Sequence, residues 1–323
     1  MVKGLEAILV KIQSVFGTPA TDLVSIGTTN YYFPATDNSK IDINPQFTPI
    51  DVLSGGFDQD ASVRGNILAT AEIGCYMKSV GTLITSLPEF GTIAQTCGLE
   101  YSAGNSGTLY IHYYGCGTTK DLTIWHYSGG FGSNQSLLRK LGNVVGDWKI
   151  TGEAGKPVLF TMTGKGIYTS ESVSTIPTFT IPKDRSVIAA AVPLTVLIGD
   201  QVYNVLKFEI SGNNVVEQYG SNADAYGTGE SVMADVRVKM SFTAYADITK
   251  TFPLDTAIAN TPLTAMTFTF GIAGQKITMD TSVSSKLFLI NCKQEKQGNL
   301  TIWDCSGIVT DNAFIITVNS DAY

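Results

Sequence analysis

The stretch "NILATAEIGCYMK", residues 66–78, decides the fold class. Ile67, Ala69, Ala71, Ile73, Cys75 and Met77 fall on one side of an extended chain, and Thr70, Glu72, Tyr76 and Lys78 on the other. Alternation with period two marks a strand with one buried and one solvated face. Farther on, "DVRVKMSF" alternates Asp235, Arg237 and Lys239 with Val236, Val238 and Met240, which predicts a second half-solvated strand across 232–245. Other apolar runs bounded by turn residues predict strands at 108–114, 121–127, 156–163, 202–211, 265–271, 275–280, 286–292, 299–305 and 313–318. Composition points the same way. Charged residues are 15% of the chain, below the usual quarter, while Gly 32, Tyr 14 and Phe 15 suit strands and turns. A mainly β protein is expected.

Outward from that strand, "SLPEFGTIAQTCG" carries the one clear helix signal. Ser86 and Glu89 have capping-box spacing, Pro88 suits the first turn, and Gly98 is placed to close the last. Leu87, Phe90, Ile93, Ala94 and Cys97 would form its apolar stripe. The opening residues put Leu5, Ile8, Leu9, Ile12, Val15 and Phe16 at helical spacing, and an extended arm is also compatible because Gly17 and Pro19 would break a helix. Residues 34–65, rich in Pro, Asn, Asp and Gly, are expected to form a long excursion, and such loops are usually functional. The Pro-punctuated stretch "STIPTFTIPKDRS" at 174–186 suggests a boundary between a domain at 1–182 and a second at 183–323. A repeat supports the division. "LTIW" occurs at 122–125 and again at 300–303, and "KIDINPQF" at 40–47 resembles "KFEISGNN" at 207–214. Similar order with drifting spacing is what a duplicated domain with loop insertions would show.

Charge excludes some functions. The net charge is −7, with 11 basic and 14 acidic residues up to residue 182 and 10 and 14 beyond it. No basic patch stands out to displace counterions from nucleic acid. The five cysteines include no CxxC, which argues for reduced thiols over a disulfide framework or a metal cluster. "MVKGLEAILVKIQSVFG" is interrupted by Glu6 and Lys11, so neither a signal peptide nor a membrane span is expected. Catalytic signatures are weak throughout. "TGEAGKP" at 151–157 has Lys156 before Pro157 rather than Ser or Thr, and a hairpin turn explains it better than a phosphate loop. His112 and His126 lack an evident ligand set, and Asp58 and Asp60 sit where solvation accounts for them. No enzyme activity, cofactor or metal is expected.

The order of segments then carries a resemblance. "LVKIQSVFGTPATD", the Pro/Gly-rich loop ending in "SVRG", "ATAEIGCYM", "GTLITSLPEFGTIAQTCGLE", "LTIWHYSGG" and "GDWKITGEAGKPVLFTMTGKG" follow one another as in the major tail tube proteins of long-tailed, siphovirus-type bacteriophages. Pro88, Cys97, Gly98, Trp148, Gly155, Phe160 and Gly164 occupy positions that match that family. "NVLKFEISGNNVV" and "GTGESVMADVRV" resemble a second tube domain of its longer members.

The resemblance implies two tandem β-sandwich domains with a short flanking helix. Their inner sheets would close into a β-barrel on oligomerisation, and stacked rings would form the tail tube through which DNA passes. A ring of three two-domain chains with pseudo-sixfold symmetry is expected, or a hexamer if the chain is not duplicated. Tail terminator, distal tail and tape-measure proteins are the implied partners, with no membrane involved. The protein would be made in the host cytoplasm and reside in the virion tail. Candidate residues facing an acidic lumen are Thr70, Glu72 and Asp235. Pro45, Phe47, Pro49, Phe57, Asp58 and Asp60 are candidates for an inter-ring loop. The alternative is a β-sandwich adhesin or carbohydrate-binding module using Tyr113, Tyr114 and Tyr226 as sugar platforms.

Overall fold

A computed structural model describes residues 7–13, 31–33, 35–36, 39–49, 62–77, 89–103, 108–113, 119–129, 135–175, 194–198, 201–220, 228–235, 238–246, 266–270, 277–280, 286–310 and 315–319. The chain is mostly antiparallel strand with one short helix.

The alternating stretch is strand β4 (Ser62–Tyr76), and its even and odd residues part as the sequence predicts. Ala69, Ala71, Ile73 and Cys75 are fully buried, while Leu68, Thr70 and Tyr76 are exposed. β4 lies between β3 (Lys40–Pro49) and β9 (Leu159–Thr175). β9 pairs along its length with the 19-residue β8 (Gln135–Glu153). The second half of β8 borders β11 (Gln201–Ser211), which leads on to β14 (Lys239–Tyr245), β18 (Leu300–Thr310) and β17 (Lys286–Gln297). The spatial order of this first sheet is therefore β3, β4, β9, β8, β11, β14, β18, β17, antiparallel at every step. On the side of β8 that its second half gives to β11, its first half borders β7 (Leu122–Ser128), then β1 (Ala7–Ile12) and β2 (Tyr31–Phe33).

A second sheet starts from the other end of β11. Residues 201–204 pair with β10 (Thr195–Ile198), and a register shift at Val205/Lys207 turns the rest of the strand into the first sheet. A bulge bends a strand and raises its twist, which lets one strand serve two sheets. From β10 the sheet continues through β15 (Met266–Phe270), β16 (Ile277–Asp280), β19 (Ile315–Asn319), β6 (Thr108–Tyr113) and β5 (Leu99–Ala103). Strands from either side of residue 182 thus pair directly in both sheets, at β8–β11 and at β6–β19.

The core lies between the sheets. Phe208 meets Phe268 and Phe270 with ring centroids 5.2 and 5.8 Å apart, and Phe242 meets Phe268 edge-on at 5.9 Å. Such contacts contribute about 0.5–1.5 kcal/mol each beyond the area they bury. One apolar cluster runs from Ile8 to Ile316. The helix α1 (Glu89–Ala94) passes into a 3₁₀ turn at Gln95–Cys97, and Gly98 closes it at φ 82°, as predicted. Phe90, Ile93, Ala94 and Cys97 are buried, with Phe90 5.7 Å from Phe160 of β9. Ser86, Leu87 and Pro88 lie outside the described residues.

One open reading is decided and one expectation is corrected. Residues 7–12, at helical spacing in the sequence, form strand β1. Its AILV run is buried on both faces, Ile8 and Val10 in the main core and Ala7 and Leu9 against Trp125 and Tyr127. A continuous apolar run of this kind carries no period that separates strand from helix. The correction concerns 232–245. β13 (Thr228–Asp235) pairs back on β12 (Val215–Gly220) in a separate two-stranded sheet, whereas β14 joins the first sheet. The alternating pattern crosses from one sheet to another between them.

Candidate assembly surface

The solvated face of the first sheet can be followed row by row from the strand registers. One row runs Tyr76, Leu159, Thr151, Glu209, Ser241, Ser306, Asn291 across seven strands. A concave groove of about 630 Å³ lies along it, lined by Tyr76, Thr151, Glu209, Thr243 and Asp304 among others. Polar residues supply the relief because each alternates with a core residue, as Glu209 does with Phe208 and Ile210.

Lysines on this face stand beside acids or hydrogen-bond acceptors. Lys40 stands opposite Glu72 and forms ion pairs with Glu72 at 3.8 Å and Asp42 at 3.6 Å. Lys149 reaches Glu209 at 3.5 Å, across the β8–β11 junction. Lys207 lies opposite Glu153, and Lys293 opposite Asp304, whose carboxylate also accepts a hydrogen bond from Thr243 at 3.0 Å. Lys165 donates to the Val216 carbonyl at 2.8 Å, and Lys239 to Asn213 Oδ1 at 3.1 Å. Exposed pairs of this kind contribute little to stability. Their consequence is electrostatic: charge alternates in sign over a few ångströms.

Asp147 is the exception in its environment. Burial pushes its carboxyl above the ordinary carboxylate value, opposed by backbone hydrogen bonds from Asn214 and Trp148 and by Lys149 and Lys239. The Asn214 amide N–H donates to Asp147 Oδ1 at 2.8 Å, and its side-chain amide donates to the carbonyls of Cys97 and Gly146 at 3.0 and 3.3 Å. One asparagine ties the end of the helical turn, β8 and the β11–β12 corner together.

Among the candidate residues, Thr70 and Glu72 share this face, with Thr70 exposed between Asp42 and Lys165. Asp235 does not join them: it ends β13, opposite Val215 in the two-stranded sheet. Pro45, Phe47 and Pro49 were expected in a loop, and all three lie on β3 instead. Pro45 adjoins a register shift, and β3 has a partner on one side only among the described residues, the setting in which a strand accommodates a residue without an N–H. Phe57, Asp58 and Asp60 fall outside the described residues, as do Tyr114 and Tyr226. Tyr113 ends β6. "TGEAGKP" forms the β8–β9 hairpin turn, with Gly155 at φ 83° and Lys156 held to Glu153 at 2.7 Å. His112 and His126 stand on strands of different sheets, and no group of three metal-ligating side chains occurs among the described residues. The long β8, which builds the middle of the face, was missed in the sequence.

Two sheet edges complete the surface. Among the described residues β3 pairs only with β4, and β17 only with β18. On β17 the register shift at Leu289/Asn291 leaves Ile290 unpaired and 66% exposed. Open edges invite pairing with another chain.

A broad solvated sheet, flanked by strands that have one partner each among the described residues, defines a mainly β protein with an extended polar face. Comparison with known families makes this specific. The sequence model of the phage tail tube protein family matches residues 5–302, nearly the whole chain, and the protein belongs to that family. It is a structural component of the virion tail that assembles with itself and other tail proteins into a tube. No curated protein matches the chain.

Proposed function

We propose that three copies of this chain close into one ring, that the solvated face of the first sheet lines its lumen, and that stacked rings carry genomic DNA during ejection. One observation carries the proposal. Cut between β8 and β11, the first sheet falls into two runs of four strands with the same connectivity: β3, β4, β9, β8 and β11, β14, β18, β17. In each run the first two strands of the set are adjacent, the fourth follows, and the third takes the far edge. The hairpins closing the two runs both turn through a glycine with positive φ, Gly155 and Gly298. This supports a duplication with halves 1–182 and 183–323, joined edge to edge within the chain.

The "KIDINPQF" and "KFEISGNN" segments fall on the equivalent strands β3 and β11. The two copies of "LTIW" do not: β7 pairs with β1 and β8, whereas β18 takes the place that β9 holds in the first half.

Because the eight strands alternate in direction, β17 of one copy would meet β3 of the next antiparallel, the same relation that β8 has to β11. Three chains would supply twenty-four strands. At a spacing of about 4.8 Å and a tilt of about 40°, such a barrel closes at a backbone diameter of roughly 48 Å, wide enough for a DNA duplex. Thr70 and Glu72 would then line the wall. Among the described residues Lys40 and Lys149 are ion-paired on the wall and Lys207 and Lys293 stand opposite acids, which tempers their pull on phosphates, and a ring of three chains at −7 each is net repulsive. Screening at about 8 Å keeps that repulsion short-ranged.

Negative-stain microscopy and native mass spectrometry of the purified full chain test the proposal. Rings or tubes with a mass unit of three chains are expected. Rings of six chains would overturn the stoichiometry, and a lasting monomer that binds glycans would favour the adhesin reading.

A further inference from the structure

Antiparallel pairing of β17 and β18 sets Cys292 directly opposite Cys305. Directly opposed residues share a face with Cα atoms roughly 4.5–5.5 Å apart, inside the range of about 4.4–6.8 Å that a disulfide spans. The two sulfurs lie 2.6 Å apart, closer than a non-bonded pair of sulfurs would sit. Cys305 is buried in the core, and Cys292 is half-buried against it. Their chemistry differs accordingly. Contact with Cys305 lowers the Cys292 thiol below its ordinary value, while contact with Cys292 and burial push the Cys305 thiol up. Cys292 is thus the thiol that ionises first and the one nearer solvent.

We propose that Cys292 and Cys305 are a disulfide-forming pair, closed by a small-molecule disulfide such as oxidised glutathione, that staples the edge strand β17 to β18. The Cys292 thiolate attacks one sulfur of the oxidant, forming a mixed disulfide and expelling one glutathione thiolate. Cys305 then gives up its proton and attacks the Cys292 sulfur, expelling the second glutathione and leaving the protein disulfide. Two protein thiols are oxidised and one glutathione disulfide is reduced to two thiols. The bond lies just past the Leu289/Asn291 register shift, so it fixes pairing on a strand that has a neighbour on one side only among the described residues. This proposal does not depend on ring stoichiometry.

Intact-mass spectrometry of the folded full chain, before and after incubation with oxidised glutathione, provides the test. The expected result is a loss of about 2 Da, with tryptic peptides 287–293 and 297–323 recovered joined without reductant and separate with it. The Cys305→Ser variant should stop at the mixed disulfide, gaining about 305 Da on Cys292. Recovery of both wild-type peptides as separate alkylated species after oxidation would overturn the proposal, as would a wild-type chain that stops at the glutathione adduct.

Discussion

At the scale of single residues, the junction between β8 and β11 rests on an absent side chain. Gly152 of β8 lies directly opposite Phe208 of β11, and a Cβ at that glycine would collide with the Phe208 ring. The phenyl group occupies that space and packs on Phe268 and Phe270. Gly152→Val should therefore cost about 1–3 kcal/mol through overpacking, read as a lower urea midpoint with unchanged m-value. Phe208→Ala should cost more, about 3–5 kcal/mol. Asp147 gives a pH-dependent counterpart. Its folded-state carboxyl titrates above the value of 3.8 that it has when unfolded. Between those values the native state holds the extra proton, so this group's contribution falls as pH rises through that window and is greatest below it. Asp147→Asn keeps an oxygen for the Asn214 N–H and removes the titration. Urea midpoints measured across that window should then fall more steeply with pH in the wild type than in the variant; parallel profiles would refute the assignment.

Elements show what the sequence made legible. β4 was readable because one of its faces meets the core and the other meets solvent, so burial alternates with the residues. β8 was not. Its apolar residues Leu137, Leu138, Leu141, Val144, Val145 and Trp148 fall at helical intervals, because register shifts at Lys140/Leu141 and Gly142/Val145 break the two-residue period. Asn143, at φ 50°, sits within the second shift. Bulges are set by pairing partners, which a local period does not contain. The repeated "LTIW" misled in the same way: equal words occupy unequal places, since tetrapeptide likeness records strand propensity and not neighbours. The edge element β17 gives a prediction of its own. Ile290→Asp should block assembly while changing monomer stability by no more than about 0.5 kcal/mol, because the side chain is largely exposed. Sedimentation and urea unfolding on the same sample separate the two effects.

For the molecule as a whole, the charge arrangement of the solvated face becomes a property of the assembly. Replacing Glu72 and Glu209 by lysine would remove one of the two partners of Lys40 and the carboxylate beside Lys149, and would add cations to the same face. Assembled tubes of that double variant should retain DNA at low salt and release it as salt rises, with a steep log–log dependence. Wild-type tubes should show little retention. A filter-binding series across salt concentrations distinguishes the two.

By itself the sequence determined the β class, the solvated and buried faces of β4, the glycine-closed helix and the family resemblance. Each of these is written in local periodicity, in turn chemistry or in the order of segments. Only the tertiary structure decided that β8 hands over from β7 to β11, that β13 and β14 belong to different sheets, and that Cys292 faces Cys305. Those facts depend on which strand supplies the next row of hydrogen bonds and in what register, and neither a pairing partner nor its register leaves a local periodic trace.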